Sequence, residues 1–135
     1  MDMPVCITIV TEQDIVMARH IGRNIAKELQ FGNITQSRIA TAISELARNI
    51  YLYANEGTIS LDTIEKEGTL GLRIEARDQG PGIPDIRLAM EDGFSTSGGL
   101  GAGLPGVKRL MDEFYIESNP LKGTYIAIVK WRGER

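Results

Sequence analysis

Apolar and polar positions along this chain repeat with two different periods, and the switches between them mark its elements. From Val5 to Val10 apolar and β-branched residues dominate, which reads as a strand. Thr11 with Asp14 three residues later forms a capping-box pattern, and Ile15, Ala18, Gly22, Ile25, Ala26 and Leu29 then recur at helical spacing. Gly22 lies on that stripe, where a glycine costs about 1 kcal/mol of helix propensity, so close packing against another element is its expected reason. The helix should stop near Phe31-Gly32-Asn33. Thr35 is the candidate N-cap of a second helix, whose stripe is Ile39, Ile43, Leu46, Ile50 and Tyr53.

Strands follow at Thr58 to Ile64 and Leu70 to Asp78, joined by the turn Glu65-Lys66-Glu67-Gly68-Thr69. In the second, Leu70, Leu72, Ile74 and Ala76 share a face with Asp78, while Arg73, Glu75 and Arg77 take the other. After an irregular stretch, Val107, Leu110, Met111 and Phe114 mark a short helix. Tyr115 to Ser118 and Thr124 to Trp131 form a closing hairpin around Asn119-Pro120-Leu121-Lys122-Gly123. The order β, α, α, β, β, α, β, β predicts an α/β two-layer sandwich of the α+β kind: a mixed or largely antiparallel sheet with helices over one face.

Composition narrows the class. A length of 135 residues, 42% of them hydrophobic, fits one domain over residues 1–135. The net charge of −3 and the lack of a long basic run argue against nucleic acid as a partner. No segment approaches the roughly 18 apolar residues of a membrane span, so a cytoplasmic protein is expected. The single cysteine, Cys6, is expected as a small buried core residue in the first strand. His20 has no ligand-like neighbours and reads as a surface or boundary position, whereas Tyr51 and Tyr53 are expected to pack, with partner binding as the alternative.

Three polar clusters carry the candidate chemistry. In Glu45-Leu46-Ala47-Arg48-Asn49, at about 100° per residue, Glu45 and Asn49 lie together at one edge of the apolar stripe and Arg48 points nearly opposite. A carboxylate and an amide beside buried surface need polar partners. The neutral amide oxygen of Asn49 suits Mg²⁺, which leaves Glu45 free as a base. Asp78-Gln79-Gly80-Pro81-Gly82-Ile83 ends a strand, so Asp78 can accept from an exocyclic amino group such as that of adenine while Gly80 and Gly82 admit the base. From Glu91 to Gly106, six glycines accompany Ser95, Thr96 and Ser97, which suits a lid presenting N–H groups to phosphates. Gly101, Gly103 and Gly106 match a dinucleotide fingerprint only formally, because no strand immediately precedes them. A Walker loop fails as well, since Val107 and Lys108 follow Gly106. Lys108 and Arg109 read equally as phosphate contacts and as a solvated helix face.

At these residues the chain resembles the ATP-binding fold shared by DNA gyrase, sensor histidine kinases, a heat-shock chaperone and mismatch-repair ATPases, the GHKL or Bergerat fold. Glu45 to Asn49 corresponds to its N box, Asp78 to Gly82 to its Asp-x-Gly-x-Gly box, and Gly99 to Gly106 to the box after the ATP lid; Gly123-Thr124 resembles the final Gly-Thr element. The stretches from Ile43 to Ala54 and from Glu91 to Phe114 look like the RsbT-type switch kinases of bacterial stress signalling, relatives of the anti-sigma-factor serine kinases.

The resemblance implies an ATP- and Mg²⁺-dependent protein serine/threonine kinase. Its substrates would be STAS-domain proteins of the stressosome, and after release from that scaffold it would bind and activate a PP2C-type phosphatase. Carried over by residue, Glu45 is the general base, Asn49 the Mg²⁺ ligand and Asp78 the adenine reader supported by Thr124; Gly80, Gly82, Gly99, Gly101 and Gly103 admit base and phosphates. Between Phe94 and Leu100 there is no Lys or Arg, although related anti-sigma kinases place an arginine in this region. Neutralisation of the γ-phosphate then falls to Mg²⁺, lid N–H groups, Lys108 or Arg109. Other readings from the same residues are an anti-sigma kinase that binds a sigma factor directly, a histidine-kinase catalytic domain, and a nucleotide-binding module without transfer. A homodimer is also open.

Overall fold

A computed structural model describes residues 4–80, 90 and 103–133. Its elements are β1 (Val5–Ile9), α1 (Glu12–Glu28), α2 (Asn33–Tyr53), β2 (Gly57–Lys66), β3 (Thr69–Asp78), α3 (Gly103–Leu110), β4 (Glu113–Asn119) and β5 (Gly123–Trp131). The five strands form one sheet in the order β1-β2-β3-β5-β4. All pairings among the described residues are antiparallel, which decides between the two sheet types expected.

Helices α1 and α2 pack against each other and against the sheet, and α3 packs against α2. Strand alternation supplies the apolar inner face: Ile7 and Ile9 from β1, Ile59 and Leu61 from β2, Leu72, Ile74 and Ala76 from β3, Ile126 and Ile128 from β5. The helices answer with Ile15 and Ala18 of α1, Ile39, Ile43, Leu46 and Ile50 of α2, and Val107 of α3. Gly22 lets α1 pack closely on α2, since a Cβ there would lie 2.1 Å from Ile43 Cδ1.

The opposite face of the sheet is closed by its own polar and aromatic contacts. Arg73 pairs with Asp62 at 3.1 Å, Arg77 lies 4.5 Å over the Tyr125 ring, and Trp131 Nε1 donates to Glu113 at 2.8 Å. Burial and then a hydrogen bond to the Glu75 carboxylate push the Tyr125 phenol above its ordinary range. Cys6 belongs to this exposed side, contrary to the expected core position. The reason is register: Ile7 and Ile9 occupy the inner positions of a five-residue edge strand, so Cys6 and Thr8 must face outward.

The ends of α1 and α2 differ from expectation in an instructive way. The Thr11 capping box forms as expected: Asp14 N donates to Thr11 Oγ1 at 3.2 Å, and Asp14 Oδ2 accepts from Thr11 N at 2.9 Å. Helix α1 then ends at Glu28, with Gln30 left-handed at φ 69°. Gln30 N donates to Lys27 O and Phe31 N to Ala26 O, a Schellman arrangement that turns Phe31 into the core. Helix α2 therefore starts at Asn33 with Gly32, not Thr35, at the N-cap, and the Gln36 amide clamps Phe31 O at 2.8 Å. At the far end Tyr53 is exposed rather than part of the stripe, which closes at Ile50.

The β2–β3 hairpin is longer than expected and turns on only two residues, Glu67 and Gly68, both at positive φ, as the right-handed strand twist favours. Phe114 belongs to β4 opposite Ile128 rather than to α3, which stops at Leu110. Lys130 Nζ donates to Leu110 O at 3.2 Å and Trp131 N to Asp112 Oδ2 at 2.7 Å, fixing the end of α3 on β5. No helix among the described residues is long and apolar enough to cross a membrane.

Candidate active site

Helix α2 places an acid inside the fold. Glu45 sits between Ile43 and Leu46, which turn its side chain toward the interior, and only 2% of the residue is exposed. Asn49, one turn further along, is half-buried. Arg48 does not point away, as the helical projection suggested: its Nε lies 3.9 Å from Glu45 Oε2. A long side chain at i+3 can fold back along the helix, and the buried carboxylate draws it there.

The second acid stands where β3 ends. Asp78 Oδ1 accepts from Gly80 N at 2.9 Å, so the carboxylate shapes the turn that follows it. Three glycines hold this strand end against its neighbours. A Cβ on Gly57, opposite Asp78 in β2, would lie 2.5 Å from Arg77 O, 2.8 Å from Ile50 Cγ2 and 3.0 Å from Asp78 Cβ. A Cβ on Gly80 would lie 2.7 Å from Ala54 Cβ and 3.2 Å from Tyr53 O, so the turn rests on the C-terminal end of α2. Gly123, at φ 94°, approaches Asp78 so closely that a Cβ would sit 2.0 Å from Asp78 O.

These contacts join the two acid clusters. Ile50, next to Asn49, touches Gly57, and Gly57 pairs with Asp78. Thr124 is the β5 residue directly opposite Asp78, on the same face of the sheet. Its Oγ1 is 2.8 Å from Ser118 Oγ, which also donates to Gly123 O at 3.5 Å. Gly103 opens α3 with φ 71° and is buried. Lys108 and Arg109 are exposed in the last turn of the same helix, about 7–9 Å along the axis from Gly103. Gly82, Gly99 and Gly101, with the rest of the expected lid up to Ala102, lie outside the described residues.

Sequence reasoning named Glu45, Asn49, Asp78, Gly80 and Thr124 but missed Gly57 and any role for Gly123. Gly57 leaves no motif; its need arises only when Ile50 and Asp78 crowd it from two elements. Gly123 lay within the Gly-Thr element, but its left-handed φ follows from the β4–β5 register.

A family model described as histidine kinase-, DNA gyrase B-, and HSP90-like ATPase matches residues 34–134, which takes in both acid clusters and the strand carrying Thr124. The serine/threonine-protein kinase RsbT of Bacillus subtilis (strain 168) is 66% identical over 126 residues, spanning 93% of this chain and 95% of that protein. The chain belongs to the RsbT-type kinases of this ATPase family. An anti-sigma F factor from Thermoanaerobacter sp. (strain X514) is a more distant relative, 36% identical over 100 residues, or 70% of this chain and 69% of that one. Among solved structures, the RsbU and RsbW domains of Rv1364c from Mycobacterium tuberculosis superpose on 99% of this chain with a TM-score of 0.65 and 16% identity. This chain covers 34% of that longer protein, and the likeness speaks for the fold. Both acid clusters, the turn at Asp78 and the buried acid on α2, lie within the stretch that the ATPase family model matches.

Proposed function

We propose that this RsbT-type kinase transfers the γ-phosphoryl group of ATP to a serine or threonine of STAS-domain stressosome proteins and, once released, binds and activates a PP2C-type phosphatase. The observation that carries the ATP-site assignment is the cradle of Gly57, Gly80 and Gly123 around Asp78. It fixes a half-buried carboxylate at a strand end by letting the neighbouring backbone pack directly against it. The identity of 66% to RsbT, against 36% to an anti-sigma F factor, supports the kinase-and-switch reading over direct sigma-factor binding.

In this reading Asp78 accepts from the adenine amino group, with Thr124 beside it, and Gly80, Gly82, Gly99, Gly101 and Gly103 let base and phosphates approach backbone. Lys108 and Arg109 supply positive charge on the phosphate side. Asn49 fits Mg²⁺: a half-buried neutral amide is enough for an ion that takes most of its shell from phosphates and water. When bound, the ion neutralises charge on the phosphates. Glu45 accepts the proton of the acceptor hydroxyl, whose oxygen bonds to the γ-phosphorus as the bond from phosphorus to the departing ADP oxygen breaks.

The test is transfer from labelled ATP to a candidate STAS protein, with Glu45→Ala and Asn49→Ala compared. Glu45→Ala should slow transfer while sparing most ATP affinity, whereas Asn49→Ala should weaken Mg-ATP binding as well. Identical losses in rate and binding, with folding intact, would remove this division of labour.

A further inference from the structure

Of the two carboxylate oxygens on Glu45, one lies near a cation and the other meets no hydrogen-bond donor among the described residues. Oε2 lies 3.9 Å from Arg48 Nε, while Oε1 is buried and makes no hydrogen bond among the described residues. Arg48 Nε is itself buried and equally without a hydrogen-bond partner, although part of the side chain reaches solvent. An i,i+3 ion pair on an exposed helix would contribute little. Here the carboxylate is removed from water, so an opposite charge beside it matters far more, and losing that charge leaves a buried ion uncompensated.

We infer that Arg48 is the positioning residue of the phosphoryl transfer, holding Glu45 by Oε2 so that Oε1 is presented to the acceptor hydroxyl as the proton acceptor. The inference rests on the assignment of Glu45 as base and adds an atom-level division of its carboxylate. As transfer proceeds, the proton of the serine or threonine hydroxyl passes to Oε1, the hydroxyl oxygen bonds to the γ-phosphorus, and the bridging oxygen leaves with ADP, keeping its electron pair. Arg48 remains charged throughout and touches neither substrate. Its effect is exerted through Glu45: the guanidinium charge lies on the Oε2 side of the carboxylate and so leaves Oε1 as the oxygen that takes the proton. A cation held by α2 itself, one residue before Asn49, can perform this task in every nucleotide state, because both charges ride on one rigid helix.

The experiment is single-turnover transfer from labelled ATP to the STAS-domain protein that the wild-type chain phosphorylates, with ATP affinity measured in parallel by calorimetry. Arg48→Ala should slow transfer about 10- to 100-fold, a part of what a general base contributes, and leave ATP affinity within about twofold. Arg48→Lys should recover most of the rate because the charge returns, and Arg48→Gln should not, although its stem packs similarly. The Lys and Gln variants decide the matter alone if truncation to Ala unfolds the helix. Added guanidinium at low concentration should partly restore the Ala variant. In a Glu45→Ala background, Arg48→Ala should cause no further loss, since a residue acting through Glu45 has nothing left to position. Wild-type rates in Arg48→Gln, or an equal additional loss without Glu45, would overturn the inference while the base assignment stands. A wild-type rate in Glu45→Ala would overturn the base assignment and this inference together.

Discussion

Gly123 and Asp78 meet backbone to backbone, and the pair behaves differently under substitution. At φ 94°, with Asp78 O only 2.0 Å from where a Cβ would be, Gly123→Ala is both strained and blocked. It should destabilise the fold by about 1–3 kcal/mol and weaken ATP binding with it, checked by urea unfolding and calorimetry on the same sample. Asp78→Asn is the opposite case. The amide oxygen can still accept from Gly80 N, so the turn should persist. Under the proposed role, what is lost is the charged acceptor for adenine, which should cost about 1.5–3 kcal/mol, or roughly 10- to 150-fold in ATP affinity. Unchanged affinity in a folded Asp78→Asn protein would remove Asp78 from nucleotide recognition. Asp78 was legible in the sequence because alternation along β3 puts it on the inner face at the strand end. The partnership with Gly123 was not, because it depends on the register of two strands far apart in the chain.

At the scale of elements, the start of α1 carries a pH dependence with a definite sign. Backbone N–H donors of Thr11 and then Val10 hold the Asp14 carboxyl below its usual value of 3.8. A carboxylate depressed by folding adds stability that is present above the unfolded value and disappears as pH falls through the lower, folded value. Urea midpoints should therefore decline below about pH 4 more steeply in the wild type than in Asp14→Asn. Thr11→Ala should cost about 1 kcal/mol at neutral pH. This cap was legible because all its parts lie within four residues. The start of α2 was not: Thr35 has the right chemistry, but the Schellman turn at Gln30 and the Gln36 clamp on Phe31 put the N-cap three residues earlier, at Gly32. Likewise Cys6 was misplaced because strand composition marks an apolar run, whereas burial depends on which alternate residues face the helices.

For the whole molecule, the order of elements carried the fold class, since consecutive hairpins allow little besides an antiparallel sheet with α1 and α2 on one side. Under the proposed switch, unmodified STAS protein and phosphatase should compete for this chain. STAS affinity should fall once its acceptor carries the extra charge of about −1.5 to −2 from phosphorylation. Competition binding in a Glu45→Ala background, with STAS protein supplied in both forms, checks this; simultaneous binding or equal affinity for the two forms would defeat the switch and leave the ATP site standing. The sheet order also has a consequence for synthesis. Strand β1 must wait for the whole of α1 and α2 before β2 arrives, and Asp78 must wait for Thr124. A chain leaving the ribosome therefore displays both acid clusters long before it owns the β5 end of the cradle. Under the proposed site, fragments ending before Gly123 should bind ATP far more weakly than the chain that carries β5, which calorimetry on such truncations checks, so nucleotide capture would come late in synthesis.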